Sequence, residues 1–169
     1  MTNKRVTSLL ITIRTQTLAL YSNDAIIKQY AISTGKNGIG SRQDSGCTPL
    51  GQHIIAQKIG GDEPSHAVFI GRVPTGEIYD TSLGAQFPKR DWILSRILWL
   101  SGLEEGINKG CNDQGGCDTF DRYIYIHGTP DSEPMGAPYS HGCIRMRNDE
   151  IIELFELVQE GTPVTIVES

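Results

Sequence analysis

Two stretches of the sequence decide the fold: Tyr-Ile-His-Gly-Thr-Pro at residues 125–130 and Ser-His-Gly-Cys-Ile-Arg-Met-Arg-Asn at residues 140–148. The apolar run 123–126 is typical of a strand, and it ends next to His127. A loop rich in glycine and proline follows. The chain then returns at Ser140–Cys143, which we predict to be a turn that opens a helix.

Cys143 and His127 are the residue types that nucleophilic catalysis requires. A cysteine nucleophile needs a base that accepts its proton and donors that bind the oxyanion. His127 is the predicted general base, provided that the loop folds back, and the amides of Gly142 and Cys143 are the predicted oxyanion donors. The dipoles of a following helix would favour a Cys143 thiolate. The alternative is a buried structural thiol, the commonest fate of a free cysteine.

The same residues resemble a known family. A histidine, a gap and then Ser-His-Gly-Cys at 140–143 is similar to the signature of the L,D-transpeptidase (YkuD-type) catalytic domain. Residues 144–148 resemble one bacterial branch of that family, and Thr-Pro-Leu-Gly at 48–51 resembles its Thr-Pro-x-Gly segment. The resemblance extends from about Leu9 to Val167.

The resemblance implies further roles for residues near the nucleophile. A main-chain carbonyl near Gly128, instead of a carboxylate, would orient His127. His141 is a second acid/base group, or it only positions the turn. Arg145 would bind a carboxylate of the donor peptide, its alternative being a solvent-facing charge. The other predicted substrate-binding residues are Ser140, Tyr125 and Tyr139. No metal or cofactor is expected, because His141-Gly142-Cys143 is too tight for the usual zinc-ligand spacing.

The chain is predicted to be a single domain over residues 1–169, mainly β with two helices, which by resemblance is an L,D-transpeptidase-type β-sandwich. Apolar spacing predicts one helix at 91–100 and another from Asp149 to about Gln159. Residues from about 86 to 121 are predicted to be an insertion that includes a long loop at 103–120. The predicted strands are 9–13, 17–21, 25–33, 53–59, 67–73, 122–126 and 164–167.

Composition excludes several functions. The net charge of −5 argues against nucleic-acid binding and against anionic membranes, and no run reaches the roughly 20 apolar residues of a membrane span. The N-terminal run Val6–Ile13 is interrupted by polar residues, unlike a secretory signal. We therefore expect a cytoplasmic protein, or a periplasmic one if an export signal is missing. Four cysteines leave a Cys111–Cys117 disulfide open.

The resemblance implies a reaction in two steps. The thiolate attacks the bond before the terminal D-Ala of a cell-wall tetrapeptide, and an acyl-enzyme forms. Water as acceptor gives an L,D-carboxypeptidase that acts in peptidoglycan recycling, which the expected cytoplasmic location favours. An amine as acceptor gives an L,D-transpeptidase that cross-links stem peptides. Carbapenem-type β-lactams would acylate Cys143. A catalytically inactive wall-peptide binder is a further alternative.

Overall fold

The computed structural model describes residues 4–169. The elements in these residues are β1 (Ser8–Thr12), β2 (Thr17–Ser22), β3 (Ala25–Ala31), β4 (Gly51–Ile59), β5 (Ala67–Ile70), β6 (Val73–Ile78), α1 (Thr81–Gln86), β7 (Ile93–Gly102), β8 (Cys111–Asn112), β9 (Gly115–Gly116), β10 (Tyr125–Gly128), β11 (Ile144–Met146), α2 (Asn148–Leu157) and β12 (Pro163–Val167). The predicted mainly β, single-domain fold with two helices is confirmed.

Ten of the strands form one sheet, in the order β11-β10-β7-β4-β12-β1-β2-β3, with β5 beside β7 and β6 beside β5. The sheet curls, so that residues from both of its ends share one core. Ser33, just after β3, exchanges two backbone hydrogen bonds with Arg145 of β11, at 2.8 and 3.0 Å. The sandwich is therefore a single sheet folded over on itself, and its two ends meet beside β11.

Strand β7 corrects the predicted helix at 91–100. Nearly all of its residues are buried, because both faces are covered. Leu98 and Leu100 belong to the main core with α2, whereas Ile97 and Trp99 belong to a second cluster on the opposite face. A strand buried on both sides loses its alternation of apolar and polar residues, and a leucine-rich run can then imitate helical spacing.

The predicted insertion at about 86–121 is also corrected by β7, which lies in the middle of the sheet between β10 and β4. Residues 87–92 and the part after Gly102 lie outside the main sheet, and the second of these contains the short hairpin of β8 and β9. Asn108 is buried, and its side-chain amide donates to the carbonyls of Leu50 and Gln52 at 3.0 and 3.1 Å. All four cysteines are free thiols, so Cys111 and Cys117 do not form a disulfide.

Only one of the two helices was predicted from the sequence. Helix α2 matches the predicted helix closely, with Ile151, Leu154 and Phe155 buried against the sheet. The short helix α1 was not predicted. Its N-cap is Asp80, whose carboxylate accepts a hydrogen bond of 2.7 Å from the amide of Leu83.

Candidate active site

The strand that contains His127 and the strand that begins directly after Cys143 are neighbours in the sheet. Strands β10 and β11 pair in parallel, with Ile126 opposite Ile144 and His127 opposite Arg145. Because side chains alternate across a strand, His127 and Arg145 project from one face of the sheet while the two isoleucines enter the core on the other. Cys143, two residues before Arg145, comes out on the same face as His127.

This face forms the wall of a cavity of about 510 Å³. Six of the predicted site residues line it: Tyr125, His127, Ser140, His141, Cys143 and Arg145. Tyr139 does not line it, and its side chain is exposed, so its predicted role in substrate binding stays a prediction. The sequence did not single out Arg72, Asp91, Arg122 and Tyr123, which also line the cavity.

His127 is almost completely buried, and a main-chain carbonyl holds its ring. Nδ1 lies 2.7 Å from the carbonyl oxygen of Gly128, and since a carbonyl can only accept, Nδ1 carries the hydrogen. Nε2 is then the free acceptor of the neutral ring. Burial lowers the pKa of His127 below 6.5, although the Gly128 carbonyl and the charge of Asp91 oppose that shift. The imidazole is therefore neutral at pH 7 and able to take up a proton.

Cys143 is a neutral thiol in this structure, which corrects the thiolate expected from the sequence. Burial raises its pKa to about 12, against the opposing effects of the Tyr125 amide, Arg145 and Arg122. The predicted helix does not follow it, because β11 begins at Ile144 and α2 only at Asn148. Deprotonation therefore requires a base at the moment of attack.

The thiol has partners of its own. Sγ accepts a hydrogen bond from the amide of Tyr125 and donates one to the carbonyl of Tyr123, both at 3.3 Å. Among the described residues it makes no hydrogen bond to His127, although both side chains line the same cavity. Transfer of the proton thus requires the Cys143 side chain to rotate away from the Tyr123 carbonyl.

Ser140 shapes the turn before the nucleophile. Its buried hydroxyl donates to the carbonyl of Cys143 at 2.5 Å and accepts from the amide of Gly142 at 3.1 Å. The hydroxyl is therefore occupied within the turn, which does not fit the predicted contact with substrate. The Gly142 amide would have to leave Ser140 before it could bind an oxyanion, so the Cys143 amide remains the simpler of the two predicted donors.

Thr48 clamps this turn to a neighbouring loop. Its buried hydroxyl donates to the carbonyl of Gly142 at 2.8 Å and accepts from the amide of Gly35 at 2.9 Å. Gly142 has φ +123°, and a Cβ there would lie 3.1 Å from the carbonyl oxygen of Cys47, so only glycine fits without strain. The Thr-Pro-Leu-Gly segment, to which the sequence assigned no chemistry, thus supports the turn that carries the nucleophile.

Acidic groups surround Arg145. Its guanidinium lies 3.3 Å from Asp91 and 3.7 Å from Glu133, and Asp91 also lies 3.5 Å from His141. These contacts are long for charge-assisted hydrogen bonds, so a substrate carboxylate can compete for the guanidinium. His141 is more than half exposed at the mouth of the cavity, which fits a residue that meets the substrate or orders the rim.

Arginines and aromatic rings form the other side of the cavity. Arg72, in the turn between β5 and β6, packs 4.5 Å above the ring of Trp99 and donates to the hydroxyl of Tyr125 at 2.9 Å. Arg122 is part-buried and donates to the carbonyl of Cys47 at 2.7 Å. With Arg145, three guanidinium groups and only one carboxylate, Asp91, line the cavity, which favours an anionic ligand.

Comparisons with known proteins agree with this architecture. The YkuD L,D-transpeptidase catalytic domain family matches residues 7–166. The chain therefore belongs to the L,D-transpeptidase family, whose catalytic domain it contains.

Within residues 4–169 there is no group of three histidine, cysteine or acidic side chains placed to hold a metal ion. None of the helices in that range is long and apolar enough to cross a membrane.

Individual relatives carry the same name. The putative L,D-transpeptidase YqjB of Bacillus subtilis is 29% identical over 155 residues, which cover 92% of this chain and 68% of the relative. The L,D-transpeptidase of Mycobacterium smegmatis has the same fold, with a TM-score of 0.52, 18% identity and coverage of 94% of this chain and 57% of that one. L,D-transpeptidase 3 of Mycobacterium tuberculosis, solved with a faropenem-derived adduct, has a TM-score of 0.51 and 16% identity, and the match covers 94% of this chain and 59% of that one. The chain thus spans little more than half of these solved proteins.

Proposed function

We propose that this protein is a cysteine L,D-carboxypeptidase that removes the terminal D-Ala from tetrapeptide muropeptides. The observation that carries the proposal is the in-register pairing of β10 with β11, which puts His127, Cys143 and Arg145 on one cavity wall. Membership of the L,D-transpeptidase family supports the substrate class.

The first half of the reaction makes an acyl-enzyme. His127 Nε2 accepts the proton of the Cys143 thiol as Sγ attacks the carbonyl carbon before D-Ala. The electron pair of the carbonyl moves to its oxygen, which the Cys143 amide stabilises. When the tetrahedral intermediate collapses, the C–N bond breaks and the leaving amine takes the proton from His127. Arg145 binds a carboxylate of the peptide.

The second half depends on the acceptor. Water enters, His127 takes one of its protons, and the thioester breaks to release the tripeptide and restore the thiol. A cavity with three guanidinium groups and one carboxylate disfavours the approach of a cationic amine, which supports water as the acceptor. The names of the relatives favour the alternative, in which a second stem peptide supplies the amine and a cross-link forms.

The test is turnover of a purified tetrapeptide, with and without an excess of tripeptide amine, followed by mass spectrometry. We expect tripeptide, free D-Ala and an acylated protein mass that Cys143→Ala abolishes. Cys111→Ala is the matched control, because that thiol is exposed and outside the cavity. Cross-linked dimers as the main product would replace hydrolysis by cross-linking, and full turnover by Cys143→Ala would end the cysteine mechanism.

The compartment and the inhibitors are proposals of the same kind. The free state of all four thiols supports a reducing compartment such as the cytoplasm, and fractionation of cells that express the native gene would test it; recovery with the periplasmic fraction would contradict it. The structure of the L,D-transpeptidase LdtMt1, a protein of the same fold, in complex with imipenem supports acylation of Cys143 by carbapenems. Addition of the mass of imipenem to the wild-type protein, and not to Cys143→Ala, is the expected result.

A further inference from the structure

Strand β7 has an irregularity directly behind His127. His127 pairs with Ile97, but the next residue, Gly128, pairs with Leu94. Two residues of β7, Ser95 and Arg96, therefore bulge out of the ladder, and Ser95 has φ +69°, a conformation that costs energy in a residue with a Cβ. A buried, strained bulge beside a proposed catalytic residue indicates that something nearby compensates for it.

Asn148 provides that compensation. Its buried side-chain oxygen accepts a hydrogen bond of 2.6 Å from Ser95 Oγ, and Ser95 Oγ accepts one of 2.9 Å from the amide of His66. The amide nitrogen of Asn148 donates to the carbonyl of Thr129 at 2.7 Å and to Asp131 at 3.1 Å. The N-cap of α2 is Arg147 and not Asn148, and the asparagine side chain turns towards β10.

Gly128 lies between these groups without room for a side chain. A Cβ at Gly128 would lie 2.5 Å from Asn148 Oδ1 and 2.6 Å from the carbonyl oxygen of Leu94. Asn148 thus packs directly on the residue whose carbonyl binds His127 Nδ1. It also holds the carbonyl of the following residue, Thr129, so the backbone on the far side of Gly128 is fixed too.

Asn148 also begins α2 immediately after β11, the strand that Cys143 precedes. The hydrogen bond from Asn148 to Thr129 thereby connects the segment that follows Cys143 with the segment that follows His127. We propose that Asn148 and Ser95 are positioning residues that hold the Gly128 carbonyl against His127 Nδ1 and so keep Nε2 free to accept the Cys143 proton. This inference rests on the proposed function for its kinetic consequence, but its structural part does not.

The experiment uses Asn148→Ala, Ser95→Ala and Ser95→Gly. Ser95→Ala removes the hydroxyl and keeps the strain, whereas Ser95→Gly removes the hydroxyl and relieves the strain. The first measurement is the proton NMR signal of His127 Nδ1–H, assigned by its loss in His127→Gln. We expect this signal to move upfield or to vanish by exchange with water in all three variants, because the Gly128 carbonyl is released.

The second measurement is the turnover of tetrapeptide. We expect kcat to fall about 10- to 100-fold with KM nearly unchanged, since small misplacements of a catalytic group have effects of this order. Thr75→Ala is the control: its exposed hydroxyl contacts only Glu77 and no part of the Asn148 network, so both measurements should match those of wild type.

Folded variants with an unchanged Nδ1–H signal would overturn the proposal, as would the same loss of kcat in Thr75→Ala. If Asn148→Ala does not fold, the two Ser95 variants decide, since each leaves the Asn148 side chain in place. A wild-type protein that turns over no wall peptide would refute the proposed function. The NMR signal would still report whether Asn148 holds the His127 ring, so the two failures are distinguishable.

Discussion

Thr48 offers the sharpest test of how the fold supports the site. Thr48→Val keeps the shape of the side chain and removes the hydroxyl that joins Gly35 to Gly142. Both partners are backbone groups in buried hydrogen bonds, and valine can neither donate to the carbonyl of Gly142 nor accept from the amide of Gly35. Thr48→Ser keeps the hydroxyl and removes only a methyl group, so it is the matched control.

The magnitude follows from these contacts. A buried polar group that loses its partner costs about 1–3 kcal/mol, so two such groups predict a loss of roughly 2–6 kcal/mol in the free energy of unfolding for Thr48→Val. The lost methyl group of Thr48→Ser predicts about 1 kcal/mol. In a domain of this size each kcal/mol lowers Tm by about 2–4 °C, so Thr48→Val should melt roughly 4–24 °C lower than wild type.

The assay is urea unfolding of wild type and both variants, with thermal melting and peptide turnover on the same samples. We expect kcat of Thr48→Val to fall about tenfold or more, because the turn before Cys143 moves when its clamp is lost. The reasoning is refuted if Thr48→Val is as stable as wild type, or if Thr48→Ser loses as much stability and activity as Thr48→Val.

The remaining predictions concern charge. The acid limb of kcat/KM should have its midpoint below pH 6.5, because burial lowers the pKa of His127, and a midpoint above pH 6.5 would contradict this assignment. The same profile should show no rise at about pH 8–9, where an ordinary thiol titrates, since the pKa of Cys143 is about 12. Asp91→Asn should move the acid limb to lower pH, because the negative charge of Asp91 raises the pKa of His127, and should lower KM because Arg145 is released; an unmoved limb would count against both. Burial lowers the pKa of His53 from 6.5 to about 4. The free energy of unfolding, measured in urea, should therefore be highest above pH 6.5 and fall by about 3 kcal/mol as the pH drops to about 4. His53→Gln should reduce this loss.

The local parts of the site could be predicted from the sequence. The apolar run before His127, the Ser-His-Gly-Cys turn and the amphipathic spacing of α2 each depend on neighbouring residues, and the structure has all three. Thr48 shows where such reasoning stops. Its segment was recognised as a motif, but its clamp on Gly142 joins residues that are far apart in the chain.

Tertiary structure decided the elements that depend on what covers them. The run 93–102 has apolar residues on every side, and only its place between β10 and β4 makes it a strand. The resting protonation of Cys143 was likewise set by burial, which outweighs the nearby cations and raises its pKa. Asp91 entered the site although nothing in its local sequence marks it, because the fold brings this residue, two positions before β7, within 3.3 Å of Arg145.

The sequence by itself determined which residues can do chemistry and the order in which they follow one another. The tertiary structure decided which of them face each other, which are occupied by the backbone, as Ser140 is, and which lie outside, as Tyr139 does. The physical reason is that strand period, turns and helix spacing are encoded over a few residues. Pairing, burial and electrostatic surroundings depend on segments that meet only after the sheet has closed.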